Sequence, residues 1–488
     1  MSTLQDVITN NLSLTRAQLT ADKALVIEVQ IKLNALGFYP GGQWIDGDLG
    51  KPRSNSLSWL GLKEFCTSAG TVSLPSETLA INADIANKLV KTSQIASILE
   101  QAKDSATIFK KLDKIQKSSL TQFPNVEAVS FLQRTHSPFT KEINNYPIYL
   151  EKKPDGSSVV SYGNSFTLST GATVTFSGYP NRGIKPTIDE TGLKFLSSNI
   201  SHACVCVGSF TDSGSPIKTH WLGKNSSEPV TLWWSTTRFI GVLNTVCQIN
   251  SEFPGTDIDD CIIESPRNRF NDLVKDMVNY RGKSSNAIGA LFKSFTKRED
   301  LSEWIKDQTG NRTIDFRGSY GEDPLISTAN IKDTTTGKIV LSSTNVGAAT
   351  KTNSISAYDL VRLISMLGWH LHLPSTAKLP GAQWKSLESV VRAMGNDTAR
   401  YLDVALETLG IVNVISEPVI ISKVGWGDSS MTYAALVRFV DHRMTPSKLR
   451  TFALALRCPT PASNKSRDTN LAAAVTEIVQ RIINEELA

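Results

Sequence analysis

The sequence predicts a multidomain protein with a small N-terminal three-helix domain, a β-rich middle segment and a C-terminal α/β domain, in which helices flank an antiparallel sheet. The chain has 488 residues, 40% of them hydrophobic and 20% charged, which is enough for two or three domains with separate cores. Apolar residues recur at helical spacing near the N-terminus, alternate in short runs from residue 145, and form longer strand and helix patterns from residue 184. We assign residues 1–75, 76–183 and 184–488 to the three parts.

Composition excludes several functional classes. The 51 basic and 46 acidic side chains give a net charge of +5 without a long block of one sign, so nucleic acid is not an expected partner. No apolar run is long enough to span a membrane, and residues 1–16 lack a signal-peptide pattern. We therefore expect a location in the cytoplasm, or non-classical export to the cell envelope. The six cysteines lack zinc-site spacing, so neither a metal nor a cofactor is expected.

The first domain is predicted from two helical patterns around a glycine-punctuated loop. Val26–Leu36 has helical spacing and ends at Gly37, and a second pattern runs through Leu57, Leu60 and Phe65. The pieces Val29-Gln30, Leu36-Gly37-Phe38-Tyr39, Ile45-Asp46-Gly47 and Leu62-Lys63-Glu64-Phe65 resemble the small peptidoglycan-binding domain appended to cell-wall hydrolases. The resemblance implies a cell-wall ligand, with Tyr39, Trp44 and Asp46 as binding residues. The alternative is a helical spacer that binds nothing.

The middle segment changes from helical to alternating patterns. Residues 75–120 have helical spacing on a polar background, and short strands are predicted at Ile148–Leu150, Val159–Val160, Phe166–Leu168 and Ala172–Phe176. The sequence indicates a small β-rich module here and no function for it.

The third part contains a candidate nucleophile. An amphipathic helix is predicted over Ile188–Leu196 and a strand over Ala203–Gly208. Trp233–Arg238 then leads into a helix whose apolar positions are Phe239, Val242, Leu243, Val246 and Ile249. Ser235 would lie near the positive end of this helix, with the residue three positions later on the same side. A nucleophile beside a base is predicted, although helix capping alone is the alternative for Ser235.

The arrangement resembles the serine β-lactamase and penicillin-binding-protein superfamily. Its Ser-x-x-Lys motif is matched by Ser235–Arg238, its Ser-x-Asn motif by Ser284–Asn286, and its Lys-Thr-Gly motif by Lys423–Gly425. Ser354–Leu363 is similar to a helix that precedes the last motif, and Leu471–Leu487 to a final helix that packs on the sheet. The resemblance implies that Ser235 is acylated, with its backbone N–H in an oxyanion hole, that Ser284 and Asn286 relay protons and orient substrate, and that Lys423 and Gly425 bind substrate.

One departure from the family decides the expected function. Arg238 occupies the place of the lysine base, and a guanidinium stays charged at any ordinary pH. Val424 also replaces a hydroxyl residue. The leading interpretation is a cell-wall-directed protein with a degenerate β-lactamase-like domain, used for binding peptidoglycan or in a larger assembly. The alternative is an active serine hydrolase that cleaves peptidoglycan or small esters, with Lys283, Lys423 or Glu322 as the substitute base.

Overall fold

The computed structural model describes residues 2–36, 38–39, 45–53, 56–91, 137–211, 215–280, 285–317, 329–344, 353–427, 429–459 and 464–488. Contacts divide the chain into two compact units. Unit 1 comprises Met1–Pro138, Arg400–Ile415 and Asp468–Leu487, and unit 2 comprises Phe139–Ala399, Ser416–Arg467 and Ala488. The three-part division inferred from the sequence stays a prediction.

The N-terminal part of unit 1 contains more helix than the sequence predicted. Its described residues form helices at Leu4–Thr9, Arg16–Ala21, Lys23–Ala35, Leu57–Ser68 and Ala83–Lys91, and the short strands β1 (Ser13–Leu14) and β2 (Ile81–Asn82) pair antiparallel. The two predicted helices around the loop are present. The first two helices are only six residues long, too short for a periodic pattern, and each begins with a capping box, at Thr3 and at Thr15.

Unit 1 also contains the Tyr401–Thr408 helix and most of the final helix, Asn464–Ile483. Tyr401 Oη donates a hydrogen bond of 2.7 Å to Asp468, which joins these two segments within the unit. The predicted final helix therefore exists, and from Asp468 onward it belongs to unit 1.

Unit 2 is built on a seven-stranded sheet in the order β15-β16-β17-β7-β8-β6, with β3 paired parallel to β17. Its strands are β3 (Val159–Val160), β6 (Ser177–Gly178), β7 (His202–Ser209), β8 (Lys218–Lys224), β15 (Ile415–Trp426), β16 (Met431–Asp441) and β17 (Ser447–Cys458). The predicted strand at Ala203–Gly208 is the fully buried β7. Strands β3 and β6 come from the segment predicted as a β-rich module, so this segment contributes to the main sheet.

Three smaller sheets and a set of helices complete unit 2. One small sheet pairs β4 (Ser165–Thr167) with β5 (Thr173–Thr175), and another pairs β11 (Asp315–Phe316) with β14 (Asn353–Ser354). The third has four strands, β9 (Cys261–Ile263), β10 (Ser265–Arg269), β12 (Asn330–Asp333) and β13 (Ile339–Ser342), in the order β10-β9-β12-β13. The α-helices are Tyr146–Glu151, Arg238–Glu252, Phe270–Asn279, Ser285–Lys293, Arg298–Thr309, Ala357–Gly368 and Trp384–Met394.

Two local predictions in this region were wrong. Ile148–Leu150 is part of the Tyr146–Glu151 helix, where Pro147 lies in the first turn and Tyr146 and Leu150 bury the same face. Ile188–Leu196 is a series of turns instead of a helix. Its Asp189 forms a bridge with Leu222 of β8, and the backbone at Gly192 approaches Leu222 so closely that a Cβ would lie 2.4 Å from the leucine Cδ2. Tertiary pairing thus prevails over the helical pattern.

The Ala357–Gly368 helix lies at the centre of the unit 2 core. All twelve of its residues are buried, and it packs against β7, β16 and β17. Ser356 and Asp359 form a capping box at its start. The predicted helix over Ser354–Leu363 is confirmed from Ala357 onward, and the capping box explains why it begins there.

Candidate active site

Ser235 lies in a strained turn that leads into the Arg238–Glu252 helix, called the central helix below. Trp234–Thr237 form one turn of 3₁₀ helix, and the Arg238 backbone N–H donates to the carbonyl of Ser235. Trp234, directly before Ser235, has a φ of +49°. Left-handed backbone at a bulky residue costs free energy and is concentrated at functional sites. The side chain of Ser235 is buried, with 5% exposure for the residue.

Helix capping does not account for Ser235. The N-cap of the central helix is Thr237, and neither it nor Trp233 at the start of the 3₁₀ turn makes a side-chain capping bond. The five predicted apolar positions of the central helix are all fully buried. The sequence pattern therefore located this helix and its buried face correctly.

The β15–β16 hairpin closes around the turn. Trp234 Nε1 donates to Ser430 Oγ at 2.8 Å, Ser430 Oγ donates to the Leu232 carbonyl at 3.0 Å, and Thr432 Oγ1 donates to the Trp233 carbonyl at 2.8 Å. At Gly425 a Cβ would lie 2.6 Å from the Trp233 carbonyl oxygen and 2.8 Å from the Thr236 nitrogen. The first and third predicted motifs therefore meet, and the close approach requires glycine at position 425.

The second predicted motif is described in part. Ser284 lies outside the described residues, and Asn286 is placed in the Ser285–Lys293 helix without a described side chain. Ser285, the middle residue of the motif, accepts a hydrogen bond from Arg238 Nη1 and donates one of 2.7 Å to the Met277 carbonyl. The adjacent serines at 284 and 285 are the only signal in the sequence for this contact.

The Arg238 side chain extends from the central helix to the Ser285–Lys293 helix. It is 4% exposed, and its guanidinium contacts Ser285. Gly289 lies one turn after Ser285 in the Ser285–Lys293 helix, and a Cβ there would lie 3.0 Å from the Arg238 Cδ and 3.1 Å from its Nε. Gly289 thus leaves room for the long side chain, and Ser285 fixes its end.

Lys423 is the second buried cation of the site. It is fully buried, and its Nζ donates to Tyr280 Oη at 2.7 Å and to the Val424 carbonyl at 3.0 Å. The pKa of Lys423 is lowered to about 7, because burial and the positive charge of Arg238 lower it by more than the carboxylate of Asp397 raises it. Asp397 also accepts a 2.8 Å hydrogen bond from Ser422. An amine with this pKa is partly neutral near pH 7 and can accept a proton.

Tyr280 is a site residue that no sequence pattern indicated. It caps the Phe270–Asn279 helix with a φ of +57°, and its hydroxyl donates to the Val424 carbonyl at 3.0 Å. Its ring contacts the Lys423 ammonium, 4.0 Å from the ring centre, and the ring of Trp426, 4.6 Å between centroids. A lone tyrosine before Arg281 and Gly282 carries no motif, so only the fold reveals it. Lys283 and Glu322, the other predicted bases, lie outside the described residues.

Two of the three predicted ligand residues of unit 1, Tyr39 and Asp46, contact the side chain of Gln30. This buried amide donates to Tyr39 Oη at 3.2 Å and to Asp46 at 3.0 Å, and it accepts a bond of 2.9 Å from the Gly47 N–H. Tyr39 is buried, which raises its pKa, whereas Asp46 is exposed. Trp44 lies outside the described residues. Binding of a cell-wall ligand by this set stays a prediction.

Two broader features of the described residues bear on the site. No group of three or more histidine, cysteine, aspartate or glutamate side chains among them is arranged to hold a metal ion. None of the helices in this same part of the chain has the length and apolar character needed to cross a membrane.

Comparison with known proteins gave matches to solved structures alone. No protein-family model and no curated protein matches the chain. A β-lactamase from Burkholderia vietnamiensis is 15% identical, with 58% of this chain and 91% of that chain covered and a TM-score of 0.36. A β-lactamase from Xanthomonas campestris pv. campestris is 13% identical, with 58% and 91% covered and a TM-score of 0.34. The TLA-3 extended-spectrum β-lactamase is 13% identical, with 59% and 96% covered and a TM-score of 0.36. These TM-scores are too low to carry an argument, so the contacts of the site have to support any function.

Proposed function

We propose that this chain is a cell-wall-directed binding protein, whose β-lactamase-like domain does not acylate substrates by the mechanism of that family. Support comes from the meeting of Ser235, Ser285 and the Lys423–Gly425 strand end around the start of the central helix. The observation that carries the proposal is the burial of Arg238, the residue three positions after Ser235. Its guanidinium contacts Ser285.

The chemistry of Arg238 supplies the reason. A lysine amine can lose its proton and then take one from the serine hydroxyl. A guanidinium donates five N–H bonds, accepts none, and stays protonated. Arg238 can therefore hold a ligand or neighbouring side chains in place, but it cannot act as the base that activates Ser235.

Intact-mass spectrometry after incubation with a penicillin, and separately with a fluorophosphonate, tests this proposal. We expect no adduct on the natural chain and none on Ser235→Ala. A penicillin adduct on Arg238→Lys would show that the pocket is intact and that the base alone is missing. Ser294→Ala, which removes another buried serine hydroxyl of unit 2, serves as the matched control.

An adduct on the natural chain that disappears in Ser235→Ala would overturn the proposal. A second candidate function, an active serine hydrolase acylated on Ser235, would then take its place. The observation that favours it is the complete burial of Lys423, which lowers the pKa of its amine. In that case Lys423→Met would abolish the adduct, because the neutral amine would be the base.

A further inference from the structure

We propose that Lys423 and Tyr280 form a carbonyl-binding site, in which the lysine amine condenses with a small aldehyde or ketone to a reversible imine. The site does not depend on Ser235 or on the proposed binding function. It follows from the complete burial of Lys423 and from its 2.7 Å hydrogen bond with the phenol of Tyr280. The charge of Arg238 also favours the neutral amine, whereas the carboxylate of Asp397 opposes it.

The surroundings of Lys423 favour a nucleophilic amine. A lysine becomes reactive when it is desolvated or placed beside another cation, because both conditions favour the neutral form. Lys423 meets both, since it is fully buried and the charge of Arg238 acts on it. The charged and titratable groups that act on it among the described residues are Arg238 on the central helix, Asp397 after the Trp384–Met394 helix, and Tyr280 at the end of the Phe270–Asn279 helix.

Tyr280 supplies the acid that imine formation needs. The Lys423 nitrogen attacks the carbonyl carbon, and one N–H proton passes to the carbonyl oxygen to give a carbinolamine. The Tyr280 hydroxyl, 2.7 Å from the nitrogen, turns from the Val424 carbonyl and protonates the carbinolamine hydroxyl, which leaves as water while the C=N bond forms. The second N–H proton returns to Tyr280, so one water is released and no oxidant or reductant is consumed.

The Tyr280 ring lies against the Lys423 amine, and the Trp426 ring packs on Tyr280. Tyr280 is partly exposed, and Trp426, which packs on it, is 38% exposed. Because Lys423 is fully buried, the proposal requires these rings to move aside, and we expect a small carbonyl compound to react best.

Reductive trapping with propanal and cyanoborohydride at pH 7, followed by peptide mapping, tests the proposal. We expect Lys423 to be alkylated at least about tenfold faster than Lys385, whose unburied amine is mostly protonated. Lys385 is a suitable internal control because its side chain is 75% exposed and Asp257 raises its pKa. Equal or slower alkylation of Lys423 would overturn the proposal.

Tyr280→Phe separates the role of the acid from simple packing. This variant keeps the ring and removes the hydroxyl. We expect imine trapping at Lys423 to fall at least about tenfold while trace acetylation by acetic anhydride, which needs no dehydration step, changes less than about twofold. An equal change in both reactions would contradict the assigned role of Tyr280. Ser294→Ala should leave trapping unchanged, because Ser294 bonds to the Leu291 carbonyl and makes none of the contacts described for Lys423.

Discussion

At the scale of single residues, Gly425 joins the end of β15 to the Ser235 turn. Any side chain there would collide with backbone atoms of Trp233 and Thr236, which cannot move without distorting the turn. We expect Gly425→Ala to lower the free energy of unfolding by about 1–3 kcal/mol. Chemical denaturation monitored by tryptophan fluorescence measures this change.

The matched control is Gly178→Ala on strand β6 of the same sheet. A Cβ at Gly178 meets no atom within 4 Å, so this variant should unfold within about 0.5 kcal/mol of the natural chain. If Gly425→Ala were equally neutral, the close contact between the third motif and the Ser235 turn would be contradicted.

Lys423 should make stability depend on pH. Burial and Arg238 lower its pKa to about 7 in the folded chain, from 10.5 for an ordinary lysine. Between pH 7 and 10.5 the amine is mostly neutral in the folded chain and mostly protonated in the unfolded chain. Raising the pH removes the proton from the unfolded chain, so the free energy of unfolding rises. This group contributes up to about 1.4 kcal/mol per pH unit over that window and nothing below it.

Lys423→Met removes this contribution. We expect the natural chain to gain stability relative to the variant as the pH rises from 7 to 9.5, in urea unfolding at fixed ionic strength. Parallel stability curves for the two proteins would show that Lys423 keeps an ordinary pKa in the fold.

The sequence predicted part of this site. Ser235, Arg238, Lys423 and Gly425 lie where their motifs indicated, because each motif is tied to the end of a helix or strand with a clear apolar pattern. Tyr280, Ser285 and Gly289 were not predicted. Their roles depend on contacts with residues far away in sequence, such as Tyr280 with Lys423, and the local spacing of residues does not indicate these contacts.

At the scale of elements, the start of the Ala357–Gly368 helix is fixed by a buried capping box. Ser356 Oγ donates to Asp359 at 2.6 Å and accepts from the Asp359 N–H, and Asn311 donates to the same carboxylate at 3.0 Å. Burial raises the pKa of Asp359, and these hydrogen bonds act in the opposite direction. We expect Ser356→Ala to cost about 2 kcal/mol, since the removed hydroxyl leaves a buried carboxylate with one donor fewer.

Thr3→Ala is the comparison, because Thr3 forms the same capping box at an exposed helix start. It should cost about 0.5–1 kcal/mol, since water replaces the lost bonds. Thermal unfolding measures the loss of stability in the two variants. Equal losses would contradict the expectation that a buried capping box contributes more than an exposed one.

Elements with strong periodicity were predicted well, and short or pairing-dependent ones were not. The central helix and β7 follow the apolar patterns that predicted them, over Phe239–Ile249 and Ala203–Gly208. The turns at Ile188–Leu196 have a helix-like pattern, but the pairing of Asp189 with Leu222 competes with it. Only the folded sheet supplies that partner, so the sequence alone favours the wrong structure.

At the scale of the whole molecule, the proposed cell-wall role requires that the full chain bind peptidoglycan. Asp46 is exposed, and its carboxylate is oriented by Gln30 and by the Asp48 N–H, so it can accept hydrogen bonds from a glycan hydroxyl or amide. We expect the full chain to sediment with purified sacculi. Asp46→Asn, which keeps the oxygen acceptor and removes the charge, should weaken binding by about 1 kcal/mol, roughly fivefold.

Asp48→Asn is the matched control for sedimentation. Asp48 is also exposed, and its carboxylate also accepts a backbone hydrogen bond, from the Gly50 N–H, but Gln30 contacts the backbone carbonyl of Asp48, which the substitution keeps, whereas it contacts the carboxylate of Asp46. Equal loss in both variants would indicate general charge attraction, which added salt would abolish. If the natural chain does not sediment at all, the cell-wall proposal fails and the assembly interpretation is favoured. The acylation and imine tests at Ser235 and Lys423 would keep their meaning, because neither uses a residue of unit 1.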